Sequence, residues 1–350
     1  MKIVIFEAGE HETGAFAPLR REHDVVMTDE TLDRSSVERF ADAEIVSAFV
    51  FSQLDGATLE RLPRLGFIAT RSTGFDHIDT AYCREHGIAV SNVPLYGENT
   101  VAEHAFALLL AISRHIVEAA ARVRGGSFVF TGLEGFDLAG RTFGAIGAGN
   151  IGCNVLRMAK AFRMRPIAYD VAPDATFAAS LGVEYVSLPT LLRESDVISL
   201  HVPATPETVN VLSADAFERM KPGVVIINTA RGALIDNRAL IAALKSGKVA
   251  GAGLDVLPEE PLMRGRDALD LRTVDPSRLA SVETNRTLCA MPNVVVTPHS
   301  AFYTHEALDR IAATTAENID AFCRGSPKNL VAETGASVTA QSRPSRVSRP

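Results

Sequence analysis

An α/β protein with two domains, each built on a parallel doubly wound sheet, is what this 350-residue sequence predicts. Two series of short apolar strands alternating with helical segments carry that expectation, because a strand–helix–strand rhythm favours parallel pairing. A glycine-rich turn set between a strand and a helix, at Gly147–Gly152, marks the start of the second series. The length suits about two domains by size alone.

The first series has strands at Lys2–Phe6, Asp24–Thr28, Glu44–Phe49 and Gly66–Thr70, with helical connections at Thr58–Leu62 and Thr80–His86. A long helix is expected over Thr100–Arg124, with Asn99 as its N-cap and Glu103 favouring its first turn. Gly125-Gly126 ends it, and an irregular, glycine-rich piece runs to Gly140. The second series places strands at Thr142–Gly147, Pro166–Asp170, Asp196–His201, Val224–Asn228, Ala250–Asp255 and Val294–Thr297. Helices are expected at Asn150–Phe162, Ser213–Met220, Asn237–Ser246 and His305–Arg324. Pro261–Met291 is charged, aperiodic and long for a loop, so it is expected to be functional or to carry a small element of its own. Glu333–Pro350, rich in Ser, Arg and Pro, has little to bury and is expected to be disordered.

Composition narrows the function classes. Hydrophobic residues make 47% and charged residues 22%, ordinary for a chain that buries sizeable cores. A net charge of -7 argues against a nucleic-acid partner, since phosphate backbones call for clustered Lys and Arg. The opening Met1-Lys2-Ile3-Val4-Ile5-Phe6-Glu7 is apolar for too few residues to read as a secretory signal. The greasiest run, Ala105–Ile112, is too short to span a bilayer. Cys83, Cys153, Cys289 and Cys323 are scattered without metal or redox spacing. The expectation is a cytoplasmic protein with reduced thiols, no metal and no membrane partner.

The turn Gly147-x-Gly149-x-x-Gly152 follows the buried-strand pattern Thr142-Phe143-Gly144-Ala145-Ile146, and Ile151, Val155, Met158 and Phe162 recur behind it at helical spacing. Strand, turn and helix in that order are the context a dinucleotide pyrophosphate needs. Gly147 makes the tight turn, Gly149 lets the phosphates approach the backbone, and Gly152 lets the helix pack close to the strand. The helix N-terminus adds amide donors and partial positive charge. Asp170 closes the next strand, where an acid accepts from the adenosine ribose and repels a 2'-phosphate. The predicted cofactor is therefore NAD.

Three further residues lie just beyond strand ends, where ligands collect in such sheets. Arg231 follows Asn228-Thr229-Ala230, Glu260 lies in Asp255-Val256-Leu257-Pro258-Glu259-Glu260, and His299 follows Thr297-Pro298. A guanidinium fork suits the planar carboxylate of a 2-keto acid and can polarise its ketone. Ketone reduction needs a proton besides a hydride, and histidine is the natural donor near neutral pH, supported by a carboxylate. Taken singly, Arg231 could be a surface arginine, Glu260 a solvated acid beside Glu259, and His299 a satisfied core histidine. Their shared placement is what points to chemistry.

These motifs resemble the D-isomer-specific 2-hydroxyacid dehydrogenase family over residue 2 to about 331. The likeness is strongest to its D-lactate dehydrogenase branch. It is carried by Phe51-Ser52-Gln53-Leu54-Asp55, Asn92-Val93-Pro94-Leu95-Tyr96, Val101-Ala102-Glu103-His104 and His299-Ser300-Ala301-Phe302-Tyr303-Thr304. The resemblance implies that Arg231 holds substrate, His299 is the acid/base and Glu260, rather than Glu259, supports the imidazole. It implies cofactor contacts at Gly147, Gly149, Asn150, Ile151, Gly152, Asp170, His201, Val202, Pro203, Thr208, Thr229, Ala230 and Asp255. Substrate contacts would come from Phe51, Thr73, Gly74, Tyr96 and Tyr303. Phe51 stands where an aromatic hydroxyl is often found, and Ser300 where threonine is usual.

The family architecture implied is a flavodoxin-like substrate domain, 1–98 with 300–332, and a Rossmann cofactor domain, 99–299, with catalysis in the cleft. A homodimer through the cofactor domain is expected. A small, pyruvate-like 2-keto acid is the expected substrate. Glyoxylate or hydroxypyruvate reduction is the nearest enzymatic alternative, and an NADH-binding corepressor is the alternative of another class.

Overall fold

The computed structural model describes residues 1–264 and 275–331. The chain divides into two compact units, Met1–Tyr96 with the stretch from Thr304, and Gly97–Tyr303. The expected disordered tail, Glu333–Pro350, lies outside the described residues, as does 265–274 of the long charged segment.

The first unit contains strands β1 (Lys2–Ile5), β2 (Asp24–Met27), β3 (Ile45–Ala48), β4 (Phe67–Thr70) and β5 (Ala89–Ser91). All pairs are parallel, in the order β2-β1-β3-β4-β5. β3 and β4 are buried at every residue, so both faces need apolar side chains, and these strands read as near-continuous hydrophobic runs. Alternate residues feed two layers. Val4, Val46, Ile68 and Val90 pack with Phe6, Leu54 and Leu59 on one face. Ile3, Ile5, Ile45 and Phe67 pack with Phe16 and Ile319 on the other. Ile319 belongs to the helix His305–Cys323, whose N-cap Thr304 accepts from the Ala307 amide. Phe322 of the same helix stacks on Phe67 with ring centroids 4.3 Å apart. β5 is absent from the sequence reading. It is three residues long, and its register is set by tertiary pairing, with the Val331 amide donating to Val90 O at 2.8 Å.

The second unit contains β6 (Thr142–Ile146), β7 (Arg165–Tyr169), β8 (Glu184–Tyr185), β9 (Val197–Leu200), β10 (Val224–Asn228), β11 (Val249–Leu254) and β12 (Val294–Val296). They form a parallel sheet ordered β12-β11-β10-β9-β6-β7-β8. The order reverses between β6 and β9, which opens a crevice beyond their C-terminal ends. Both sheets thus have the parallel α/β build the sequence predicts.

Several local expectations need correction. The helix expected at Thr100–Arg124 is two, Glu98–Ser113 and Ile116–Arg124. His115 between them is left-handed at φ 50, and the Phe136 amide takes the Ser113 carbonyl at 2.9 Å, so a tertiary partner replaces the next helical turn. Asn99 is not the cap. Gly97 precedes the first turn, and Asn99 donates to Glu103 from within the helix. Helices Ala175–Leu181 and Leu188–Glu194 were missed although Asp174 and Ser187 cap them. The charged segment carries helices at Glu260–Arg264 and Pro276–Cys289, the second capped by Asp275 with proline in its first turn.

Candidate active site

The glycine turn joins β6 to the helix Asn150–Ala161. Gly147 has φ 96, and a side chain there would meet the His201 carbonyl at 2.7 Å, so only glycine fits. A Cβ on Gly152 would meet Gly147 O at 2.1 Å, which fixes the close approach of helix to turn. A Cβ on Gly149 would meet no protein atom within 4 Å, leaving that face of the backbone approachable. Gly149 is also the helix N-cap and provides no side-chain cap, so the first-turn amides face that same space. Asp170 binds the turn to the end of β7. Its Oδ2 accepts from the Ala148 amide at 2.7 Å and its Oδ1 from the Ala172 amide at 2.8 Å.

Beyond β9 and β10 the other expected cofactor positions gather. His201 shares a 2.8 Å hydrogen bond with Ser199 Oγ, and loss of water around its ring pushes it down to about 3, so it is neutral. Val202 packs against the core, while Pro203 is exposed and its carbonyl accepts from Thr208 Oγ1 at 2.6 Å. Thr208 also accepts from the Thr205 amide at 2.8 Å, closing that loop. Thr229 Oγ1 is buried without a hydrogen-bond partner, which a bound ligand would supply. Asn150 is exposed at the head of its helix, and Ile151 packs on the core beneath. These features fit a dinucleotide: an approachable glycine backbone, an uncapped helix start, an acid at the next strand end and an orphaned hydroxyl.

Arg231 is set by a turn that sequence reasoning overlooked. Asn228, 1% exposed, donates from Nδ2 to Arg231 O at 2.9 Å and accepts from the Ala230 amide at 3.0 Å. Arg231 Nη1 donates to Ala230 O at 2.8 Å, which holds the guanidinium over its own turn. Asp255, at the end of β11, is buried yet held below the usual carboxylate range. Burial opposes that shift, and hydrogen bonds from His104, Thr297 and the Ala301 and Ser300 amides overcome it. Thr297 Oγ1 donates to Asp255 Oδ1 at 2.5 Å, and the Ser300 and Ala301 amides donate to its two oxygens at 2.9 Å each.

His299 and Glu260 come together directly. His299 Nδ1 lies 2.8 Å from Glu260 Oε2, and the Leu257 amide donates to Glu260 Oε1 at 3.1 Å. Glu259 is turned elsewhere, held by Arg278 through Nε at 2.8 Å and Nη2 at 2.7 Å. Of the two acids, Glu260 is the one that pairs with His299.

The expected substrate residues of the first unit lie in loops. Phe51 is 47% exposed, and its amide donates to Glu7 Oε2 at 3.2 Å. Thr73 spends its hydroxyl on Val93 O at 2.7 Å, so this turn would offer an anion its amides, with Gly74 next in line. Tyr96 O accepts from Arg310 Nε at 2.9 Å. In the second unit Tyr303 is 64% exposed and its ring meets Phe302 edge-on. No helix among the described residues is long and apolar enough to cross a membrane, and no cluster of three metal-ligating side chains occurs among them.

Known proteins are similar to this chain in sequence and fold. Residues 106–301 match the family described as D-isomer specific 2-hydroxyacid dehydrogenase, NAD binding domain. The D-lactate dehydrogenase of Escherichia coli (strain K12) is 44% identical over 293 residues, 82% of this chain and 86% of that protein. A glyoxylate reductase of Korarchaeum cryptofilum is 40% identical over 300 residues, 84% of each chain. The solved D-lactate dehydrogenase from Aquifex aeolicus, complexed with NAD and lactic acid, has a TM-score of 0.82 at 34% identity. It covers 93% of this chain and 96% of that one. The chain belongs to the D-isomer-specific 2-hydroxyacid dehydrogenases, enzymes that use NAD.

Proposed function

We propose that this enzyme reduces a small, unphosphorylated 2-keto acid of the pyruvate type to the D-2-hydroxy acid. The single observation that carries the assignment of roles is the His299–Glu260 pair, 2.8 Å from Nδ1 to Oε2. With Nδ1–H donating to Glu260, the opposite ring nitrogen holds the proton for the ketone oxygen. The bound nicotinamide supplies the hydride. Glu260 stabilises the charged ring electrostatically and fixes its orientation through a second bond, to the Leu257 amide. Arg231 grips the substrate carboxylate with its planar fork. The Thr73-Gly74 amides would assist, and Phe51, Tyr96 and Tyr303 would wall the substrate side chain. Each added methylene then changes discrimination by about 1–3 kcal/mol, giving graded activity along a homologous series.

The D-lactate dehydrogenase relatives support pyruvate as the reference substrate, and the glyoxylate reductase at 40% identity keeps glyoxylate as the second candidate. A panel of glyoxylate, hydroxypyruvate, pyruvate and longer 2-keto acids with NADH, followed by chiral separation of the products, tests the assignment. Highest kcat/KM on pyruvate or 2-ketobutyrate with R product supports it. An S product, or no turnover of any short 2-keto acid, sinks it.

The quaternary reading is a homodimer through the second unit. Ile116 (55% exposed), Val117 (56%), Phe128 (90%) and Phe130 (83%) are exposed apolar residues on the helix Ile116–Arg124 and the chain after it. Arg122 holds that chain to its helix by donating to Val129 O at 3.1 Å and Thr131 O at 2.9 Å. Exposed apolar surface of this kind marks an interface. A cytoplasmic location accords with four cysteines that form no disulfide.

A further inference from the structure

His299 is left-handed at φ 54, a conformation that side chains other than glycine disfavour and that persists only where the surroundings over-determine it. Four hydrogen bonds do so here. The His299 amide donates to Asp255 O at 2.8 Å and to Thr297 O at 2.9 Å, and the Ser300 and Ala301 amides donate to the Asp255 carboxylate. That carboxylate is itself aimed from behind. Thr297 Oγ1 donates to it at 2.5 Å, and His104 Nε2 lies 3.0 Å from the same hydroxyl and 3.5 Å from Asp255 Oδ1. The threonine proton is spent on the carboxylate, so the hydroxyl accepts from His104, and Nε2 must carry the hydrogen. Donation therefore runs from His104 to Thr297 to Asp255, and the Ser300 and Ala301 amides donate to the same carboxylate from the other side.

We propose that His104 and Thr297 are positioning residues for the reaction: a hydrogen-bond relay that holds the His299 backbone in its left-handed turn and so aims the imidazole paired with Glu260. Neither residue needs to touch substrate or cofactor. His104 comes from the helix Glu98–Ser113, remote in sequence from the turn it braces. The proposal rests on His299 being the proton donor, and the test separates the two.

Thr297→Val removes the hydroxyl and keeps the shape, while Thr297→Ser keeps the hydroxyl. His104→Leu removes the donor, and His104→Gln keeps an N–H at similar reach. The valine and leucine variants are expected to lower kcat about tenfold or more with KM for NADH within about twofold, because the loss falls on the transition state alone. Serine and glutamine are expected to recover most of the rate. A crystal structure of Thr297→Val is expected to show the His299 ring displaced and its φ negative. Valine and leucine variants with kcat within twofold of the parent and His299 unmoved would overturn the relay, as would serine and valine losing rate equally in step with melting temperature. Retained activity in His299→Ala would refute the proton-donor role instead, and the crystallographic displacement would still decide whether the relay holds the turn.

Discussion

The two sheets share a parallel build and differ in what their C-terminal ends do with charge. Beyond the second sheet, a half-exposed acid holds a half-exposed imidazole, with side-chain exposures of 21% for Glu260 and 32% for His299, and both keep a face toward solvent. Beyond the first sheet, Arg71 is 1% exposed and spends its guanidinium on the chain itself. Its Nε pairs with Glu12 at 2.9 Å, Nη2 donates to Phe6 O at 2.5 Å and Glu7 O at 3.0 Å, and Nη1 donates to Ser47 Oγ at 3.1 Å. Glu7 then turns its carboxylate onto the Ser52 amide at 2.8 Å and onto the Ser52 hydroxyl. One strand-end cluster keeps its groups approachable, whereas the other ties them into a rim beneath a loop. Under the proposed function, charge at a strand end goes with chemistry where it stays approachable.

The largest expected effect separates two arginines. Arg231→Lys should lower kcat/KM by about 10²- to 10³-fold with unchanged unfolding midpoint, because a point charge cannot reproduce a bidentate fork. Arg71→Met should do the reverse. It strands Glu12 in the interior and destabilises the fold by roughly 3–5 kcal/mol while the enzyme that remains folded keeps its rate per site. Steady-state kinetics beside denaturant titration reads both, and a rate loss in Arg71→Met without instability would erase the contrast.

The two adjacent acids give a second division. Glu260→Gln should cut kcat about 10- to 100-fold, since the ring loses the carboxylate that orients it. Glu259→Gln should stay within about twofold, because that acid is committed to Arg278 at 2.7 Å. Equal loss of kcat in the two variants would reopen the choice between them. A smaller effect concerns the cofactor: Asp170 would face a 2'-phosphate as a like charge, so NADH should be preferred over NADPH by about tenfold or more in kcat/KM. Equal use of NADPH would remove Asp170 from that role.

The smallest effect compares one half-buried histidine from each unit. Desolvation pushes His201 down to about 3 and, opposed by Asp76, His77 down to about 4. The unfolded chain takes up these protons near pH 6.5, roughly the ordinary histidine value, while the folded chain does not. Stability is therefore full above that pH and falls as pH drops toward the folded values, by about 1.4 kcal/mol per pH unit for each histidine. Melting temperatures from pH 7 to 5 should fall less steeply for His201→Gln and His77→Gln than for the parent. Parallel slopes would show that these rings gain protons without unfolding.

The legibility of the molecule follows the same division. The glycine turn could be read because Gly147 and Gly152 each answer a local clash, such as the 2.1 Å contact a Cβ on Gly152 would make, while Gly149 leaves its backbone open. Arg231, Glu260 and His299 could be proposed because strand ends are visible as the limits of apolar runs, and the D-2-hydroxyacid dehydrogenase resemblance favoured Glu260, the acid that pairs with His299. The relay and the rim could not. His104 meets Thr297 across 193 residues and Arg71 meets Phe6 across 65, and no periodicity links such partners. The break at His115 was hidden for the same reason, since the group that competes for the Ser113 carbonyl comes from Phe136.

The most direct test of the central claim, that the His299–Glu260 pair delivers the proton, is His299→Ala measured two ways on one sample: kcat for pyruvate reduction and NADH affinity by fluorescence titration. The expected result is a fall in kcat of about 10²–10⁴-fold with the NADH dissociation constant within about threefold of the parent. A kcat within tenfold of the parent, or a loss explained by failed NADH binding, would contradict it.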